Sequence, residues 1–309
     1  MRFVLRRVIL SVVTLFVIAS ATFFLMHSIP GGPFSRERAL PREIEANLAR
    51  KYNLDEPVLK QFARYIASAL RGDLGPSFLH EGRTTNDIIR EGFPKSAVLG
   101  IAGFLIALAV GLPMGILAAL RRHRMVDRGL MLLGVLGVSV PSFILASLLQ
   151  YFFSYRLKWA PAAGWGESPW QVILPALALA GFPVAFISRL VRTSMLNVLD
   201  ADWLRTAKAK GLGRAMVIMR HALRNAILPV VTYSGPLLAS LLTGSFVVEN
   251  IFAIPGLGSS FVLSIQDRDY TVIMGVTLFY SALLIGFNVL VDAMYAWLDP
   301  RISLEAPTN

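Results

Sequence analysis

The sequence predicts an all-α integral membrane protein with six transmembrane helices, and three observations predict it. Only 16% of the 309 residues are charged and 55% are hydrophobic, with a mean hydropathy of +0.60, whereas soluble domains carry about 25% charged residues. Six windows reach the roughly 20 apolar residues that a helix needs to cross hydrocarbon: residues 8–29, 96–120, 130–153, 170–191, 227–248 and 272–298. Basic residues gather in every second short connection between these windows.

Span 1 follows Arg2, Arg6 and Arg7. Ala19-Ser20-Ala21 resembles a signal-peptide cleavage site, but apolar sequence continues through Phe23, Phe24, Leu25 and Met26. That run exceeds the about 7–15 residues of a signal core, so an uncleaved span is expected. In the next segment Pro41 opens a helical pattern with Ile44, Leu48 and Tyr52 on one face. Pro57 opens another with Val58, Phe62, Ile66 and Leu70. RGDLGPSF is a turn cluster, and Thr84 or Thr85 caps a short helix ahead of Phe93-Pro94. The amphipathic pair reads either as a lid on the spans or as a landing site for a partner. Ala107, Gly111, Gly115 and Ala119 form a small-residue ridge along span 2 that admits close helix contact. Pro113, Pro141, Pro175, Pro183, Pro229 and Pro236 lie within spans, where each favours a kink.

Orientation follows from the short connections. Arg121, Arg122, Arg124 and Arg128 lie between spans 2 and 3. Arg189, Arg192, Arg205, Lys208, Lys210, Arg214, Arg220 and Arg224 lie between spans 4 and 5. The connections of opposite parity hold only Arg156 and Lys158, or Arg268 beside Asp267 and Asp269. The positive-inside rule then puts both termini in the cytoplasm. The organisation expected is an N-terminus and span 1 (residues 1–29), an extracytoplasmic helical segment (30–95), a core of spans 2–6 (96–299) holding a cytoplasmic loop at 193–225, and a tail (300–309).

Several chemistries are missing. A formal charge of +11 would suit nucleic acid in a soluble protein, but in a membrane chain it belongs to cytoplasmic loops, so no nucleic-acid partner is expected. With no cysteine, disulfides, Cys-ligated zinc and iron–sulfur clusters are excluded. No G-x-x-x-x-G-K-[ST], H-E-x-x-H or G-x-S-x-G occurs, and His27, His80, His123 and His221 are never at metal-binding spacing. The chain is therefore expected to have no catalytic or metal site. A proton-coupled carrier should bury acids in mid-span. The candidates are Asp292 and Glu249, both near span ends, with Asp292 able to pair with an arginine such as Arg189. No selectivity filter or charged ring is visible. If this chain transports, its energy comes from another chain.

Residues 195–225 are the most distinctive stretch. Leu196, Leu199 and Trp203 form one apolar stripe, Gly211-Leu212-Gly213 breaks the helix, and Met216, Met219, Leu223 and Ile227 form a second stripe leading into span 5. A helix–turn–helix with a basic rim reads as a docking element or as an amphipathic pair resting on anionic lipid.

RTAKAKG, from Arg205 to Gly211, resembles the E-A-A-x-x-x-G loop of ABC importer membrane subunits. Ala207 and Gly211 match, while Arg205 and Thr206 replace the first Glu and Ala. Where that loop has I-x-L-P, this chain reads His221-Ala222-Leu223-Arg224. These departures resemble the dipeptide/oligopeptide/nickel permease branch. LRRVIL, IPGGPF, KYNLDEPVLKQFARYI, GDLGPSF, VVENIFAIPGLG, DRDY and VDAMYAWLDPRI resemble that branch in order, in particular its oligopeptide B-type subunits. The resemblance implies the type I ABC importer permease fold in a bacterial inner membrane, with surrounding lipid as a further contact. It implies a second permease subunit, two ATPase subunits that bind ATP and magnesium, and an extracellular or periplasmic peptide-binding protein. This chain would bind no cofactor and would pass peptide between the two permease subunits. Within the family, dipeptides, nickel chelates and sugars are alternative cargoes; an ATP-independent secondary carrier is the alternative from another class. The expected ATPase-coupling residues are Trp203, Arg205, Thr206, Ala207, Lys208, Ala209, Lys210, Gly211, Leu212, Gly213, Arg214, His221, Arg224 and Asn225. Candidates for the outer gate or path are Glu249, Asn250, Pro255 and Gly256.

Overall fold

The computed structural model describes residues 2–30, 32, 33, 42–202, 213 and 216–298, with the side chains of 2–5, 42–46, 220, 221 and 292–298 outside the description. Among the described residues the helices are α1 (Arg2–Ser28), α2 (Arg42–Lys51), α3 (Val58–Ala69), α4 (Thr85–Leu120), α5 (Met125–Ser139), α6 (Ser142–Leu149), α7 (Trp170–Leu199), α8 (Leu223–Ala226), α9 (Leu228–Leu242), α10 (Phe246–Ile251), α11 (Leu257–Gln266) and α12 (Tyr270–Leu298). Wider π-helical turns extend α6 (Gln150–Arg156) and precede α8 (Val217–Ala222). Four stretches can each cross a membrane alone: Arg6–Ser28, Thr85–Leu120, Trp170–Leu199 and Tyr270–Val291. Two bent pairs raise this to six if each is one span. The chain divides into two compact units, Met1–Lys95 with Pro255–Asn309, and Ser96–Ile254.

In the first unit α1 packs along α12. The α3 face predicted at Phe62 and Ile66 is turned onto them, in a cluster with Phe23, Met26, Tyr270 and Met274. The Phe62 ring lies 6.0, 5.2 and 5.4 Å from Phe16, Phe23 and Phe24. Phe16 precedes the end of α1 by twelve residues, about 18 Å at the helical rise, so α3 lies along the flank of α1 rather than above its end. Val58 and Leu70, predicted on the same face, stay exposed.

The predicted short helix before Phe93-Pro94 and the predicted span from 96 are one helix, α4. Thr84 and Asp87 cap it reciprocally. The Asp87 amide donates to the Thr84 hydroxyl at 3.2 Å, and the Thr84 amide donates to the Asp87 carboxylate at 3.0 Å. Proline inside a helix costs about 3 kcal/mol, but Ile88, Ile89 and Phe93 pack on Leu257, Val272 and Val276. That packing of the turns before Pro94 offsets the local cost. At Gly92 a Cβ would lie 3.0 Å from the Leu257 backbone, so only glycine permits this approach.

In the second unit the small-residue ridge of α4 meets α7. Ala107 and Ala119 are buried, a Cβ at Gly111 would reach Ile187 at 3.0 Å, and one at Gly115 would collide with the Ser188 carbonyl. Only two of the six span prolines sit at breaks. Pro141 lies between α5 and α6, which meet at 102°, and Pro229 opens α9 after a 47° bend. Pro113, Pro175, Pro183 and Pro236 lie in uninterrupted helices. Span 5 ends at Leu242 rather than at 248, because Thr243 and Gly244 turn the chain into α10.

Candidate functional site

The segment 193–225 begins in the last turns of α7 and ends in the returning helix, made of the π-helical turn and α8. Span 4 was predicted to end at 191, but α7 runs on to Leu199, so the Leu196 and Leu199 stripe is its last turn. The Val217 amide donates to the Gly213 carbonyl at 3.0 Å. The predicted stripe of Met216, Met219, Leu223 and Ile227 divides: Met216 and Met219 are exposed, Leu223 and Ile227 pack against the core, and the fully buried positions are Val217, Ala222 and Ala226. A π-helical turn carries an extra residue relative to α-helical winding, which rotates the following register and accounts for the division.

Both roots of the segment share one core. Ile187, Val191 and Met195 of α7 pack with Val217, Ala222 and Ala226, and with Val230 and Leu237 of α9. Gly213, Arg224 and Asn225 are exposed. Trp203, Arg205, Thr206, Ala207, Lys208, Ala209, Lys210, Gly211, Leu212 and Arg214, and the side chain of His221, lie outside the described residues.

Two ion pairs join the α4–α5 turn to the end of α7. Arg192 donates through Nε to Asp127 Oδ1 at 2.7 Å and through Nη2 to Oδ2 at 2.9 Å. Oδ2 also accepts the His123 amide at 3.1 Å. Asp127 is 4% exposed. The second pair, Arg122–Asp200 at 3.2 Å, is open to solvent. Sequence reasoning counted Arg192 only among topology-setting charges and passed over Asp127. The available signal was a lone acid inside a basic turn beside a span, where charges are costly unless paired.

The predicted gate residues divide between the units. In the second, Glu249 is 1% exposed and accepts the Ser96 hydroxyl at 2.7 Å. Gly244, at φ +80°, stands where a Cβ would meet Glu249 and Ser96. Glu249 therefore lies on α10, beyond a turn, instead of at the end of a straight span. Asn250 is exposed beside it. In the first unit Pro255 and Gly256 lead into α11, and the Gly256 carbonyl accepts Ser260 N–H at 3.3 Å. Among the described residues no group of His, Cys, Asp and Glu could hold a metal.

Apolar helices of crossing length, two of them broken, with a basic segment rooted between α7 and α8, define a polytopic membrane subunit of the permease class. The chain belongs to the family of binding-protein-dependent transport system inner membrane components, whose main region matches residues 111–304 and whose N-terminal region matches 1–96. It is 49% identical to the dipeptide transport system permease protein DppB of Bacillus subtilis, over 98% of both chains. It is 43% identical to the oligopeptide transport system permease protein OppB of Haemophilus influenzae and 41% to that of Escherichia coli K12, each over 98% of this chain and 99% of the relative. Among solved structures it resembles the MetNI methionine ABC transporter in an inward-facing conformation, with a TM-score of 0.56 at 17% identity over 69% of this chain and 96% of that one. It also resembles an amino acid ABC transporter with histidines, with a TM-score of 0.51 at 17% identity over 68% and 93%. The fold is that of type I ABC importer permeases, and the chain is an inner membrane component of such a system.

Proposed function

We propose that this chain is a peptide-importing permease subunit that performs no chemistry itself and converts ATP-driven closure of partner ATPase subunits into movement of its spans. Both termini face the cytoplasm, and the connection between α1 and α4 belongs to the outer side, with α3 lying against the flank of α1. The segment 193–225 docks on an ATPase subunit, with Ala207, Leu212 and Met216 as its apolar contacts and Lys208, Lys210 and Arg214 meeting acidic rims. A second, similar permease subunit completes the path, with Glu249, Asn250, Pro255 and Gly256 toward its outer end, and a binding protein delivers cargo. ATP and magnesium belong to the ATPase subunits.

The observation that carries this reading is the shared core of Met195, Val217, Ala222 and Ala226. Because the two roots pack on each other, α7 and the returning helix move together, and a push delivered to them tilts spans. Peptide cargo is supported by relatives named for dipeptide and oligopeptide transport at 41–49% identity.

The test is uptake of labelled peptide by proteoliposomes holding this chain with its second permease, ATPase and binding-protein partners. Import should require ATP and all partners, and competing di-, tri- and pentapeptides should rank the preferred length. Uptake driven by an ion gradient without ATP would overturn the reading in favour of a secondary carrier.

A further inference from the structure

Resting on the proposed coupling role of 193–225, we propose that the Asp127–Arg192 pair is a positioning clamp that carries motion of this segment to the broken span α5–α6. Arg192 sits one turn before Met195, which is buried with the returning helix. Asp127 lies in the first turn of α5, where a carboxylate is favoured by the helix dipole. The guanidinium meets the carboxylate with two parallel donors, the arrangement that fixes orientation as well as distance. The His123 amide fills a further acceptor position, at a residue with φ +66°.

Farther along, α5 lies close on α7. At Gly137 a Cβ would fall 3.0 Å from the Gly181 carbonyl and 3.1 Å from Ala185, and Gly134 faces Ser188. These glycine contacts are smooth and carry no directional bond, so they permit sliding. Among the described residues the ion pair is the directional link between α5 and α7, and it sits at the end nearest the coupling segment. Beyond Val140 the chain turns through 102° into α6. A displacement of α7 taken up by α5 would thus change the lever at this bend, whereas slippage along the glycine face would lose it. The exposed Arg122–Asp200 pair lies beside the clamp, but exposed pairs are weak and screened by salt.

The clamp is tested in the assembled transporter by the number of peptides imported per ATP hydrolysed, together with melting temperature and complex yield. Asp127→Asn keeps the shape and loses the charge, and Arg192→Lys keeps the charge and loses the two-pronged fit. Both are expected to assemble and hydrolyse ATP while importing at least fivefold fewer peptides per ATP. The exchange Asp127→Arg with Arg192→Asp should recover part of that ratio. Arg122→Ala should leave it unchanged. An unaltered ratio in both single variants overturns the clamp, as does loss of assembly in both, which would make the pair purely structural. If the unmodified complex itself fails to import peptide with ATP, the coupling reading falls first, and the two failures are thereby distinguished.

Discussion

Replacing Asp269 by Ala should loosen the segment after α3 from the start of α12. The side chain is 1% exposed. One carboxylate oxygen accepts the Ser77 hydroxyl. The other accepts the amides of Phe78 at 3.2 Å and Val272 at 3.4 Å. Thr271 Oγ1 lies 3.0 Å from that second oxygen, but its single hydrogen is better placed on the Pro76 carbonyl at 2.5 Å, a bond that survives loss of the carboxylate. Removing the carboxylate strands the Ser77 hydroxyl and the Phe78 amide at about 1–3 kcal/mol each. It also removes the cap of α12, worth about 1 kcal/mol. Phe78 is only partly buried, so water can reach its amide, and a total of about 3 kcal/mol is expected. For a chain this long that corresponds to a fall of roughly 6 °C in melting temperature. Ser77→Ala should cost about 2 kcal/mol, because Ser77 Oγ also accepts the amides of Leu79 and His80 at 3.2 and 2.9 Å. The double variant should fall short of the sum by about 1–2 kcal/mol, since both changes remove one shared bond. The assay is thermal melting of the complex in lipid nanodiscs, with limited proteolysis across residues 70–84. A drop under about 1 °C for Asp269→Ala, or strict additivity, would refute the reasoning.

The flank contact of α3 predicts a split between two sets of changes. Phe62→Ala with Ile66→Ala should lower melting temperature or assembly, whereas Lys60→Glu, at a side chain 64% exposed, should leave stability intact and reduce binding-protein stimulation of ATPase activity at low salt. Unchanged stimulation would make the segment a lid only. Because the chain has no cysteine, orientation can be read with single exposed cysteines. Arg124→Cys should be labelled only from the cytoplasm and Glu167→Cys only from outside; Ser77, buried on Asp269, would make a poor reporter. Gly211→Val, and Lys208→Glu together with Lys210→Glu, should insert normally yet import little peptide, and near-normal import by both would favour a segment resting on lipid.

Helix positions were legible because the length of an apolar run is a local property, and all six apolar windows correspond to helices or bent helix pairs among the described residues. Tertiary packing was not legible. Pro94 looked like a helix boundary until its neighbours packed on α11 and α12, and Pro141 looked no different from Pro175, although only Pro141 sits at a sharp turn. The predicted stripe of the returning helix was right at Leu223 and Ile227 and missed Val217 and Ala222, because a wide turn breaks the 3.6-residue period. Two segments carrying the family resemblance, GDLGPSF and DRDY, turn out to be joined through Ser77 and Asp269, a link across nearly two hundred residues that spacing cannot reveal. Asp127 and Arg192 were hidden for the same reason, 65 residues apart in chain order.

The docking of residues 193–225 on an ATPase subunit is tested most directly by site-specific photo-cross-linking. A photoreactive residue at Ala207 or Lys208 of the assembled complex, with one at Glu167 as control, would be illuminated and the products separated. The account predicts adducts between positions 207 or 208 and an ATPase subunit, changing in yield when ATP is bound and trapped, with none from position 167. Adducts to lipid alone at 207 and 208, in a complex that still imports peptide with ATP, would contradict it.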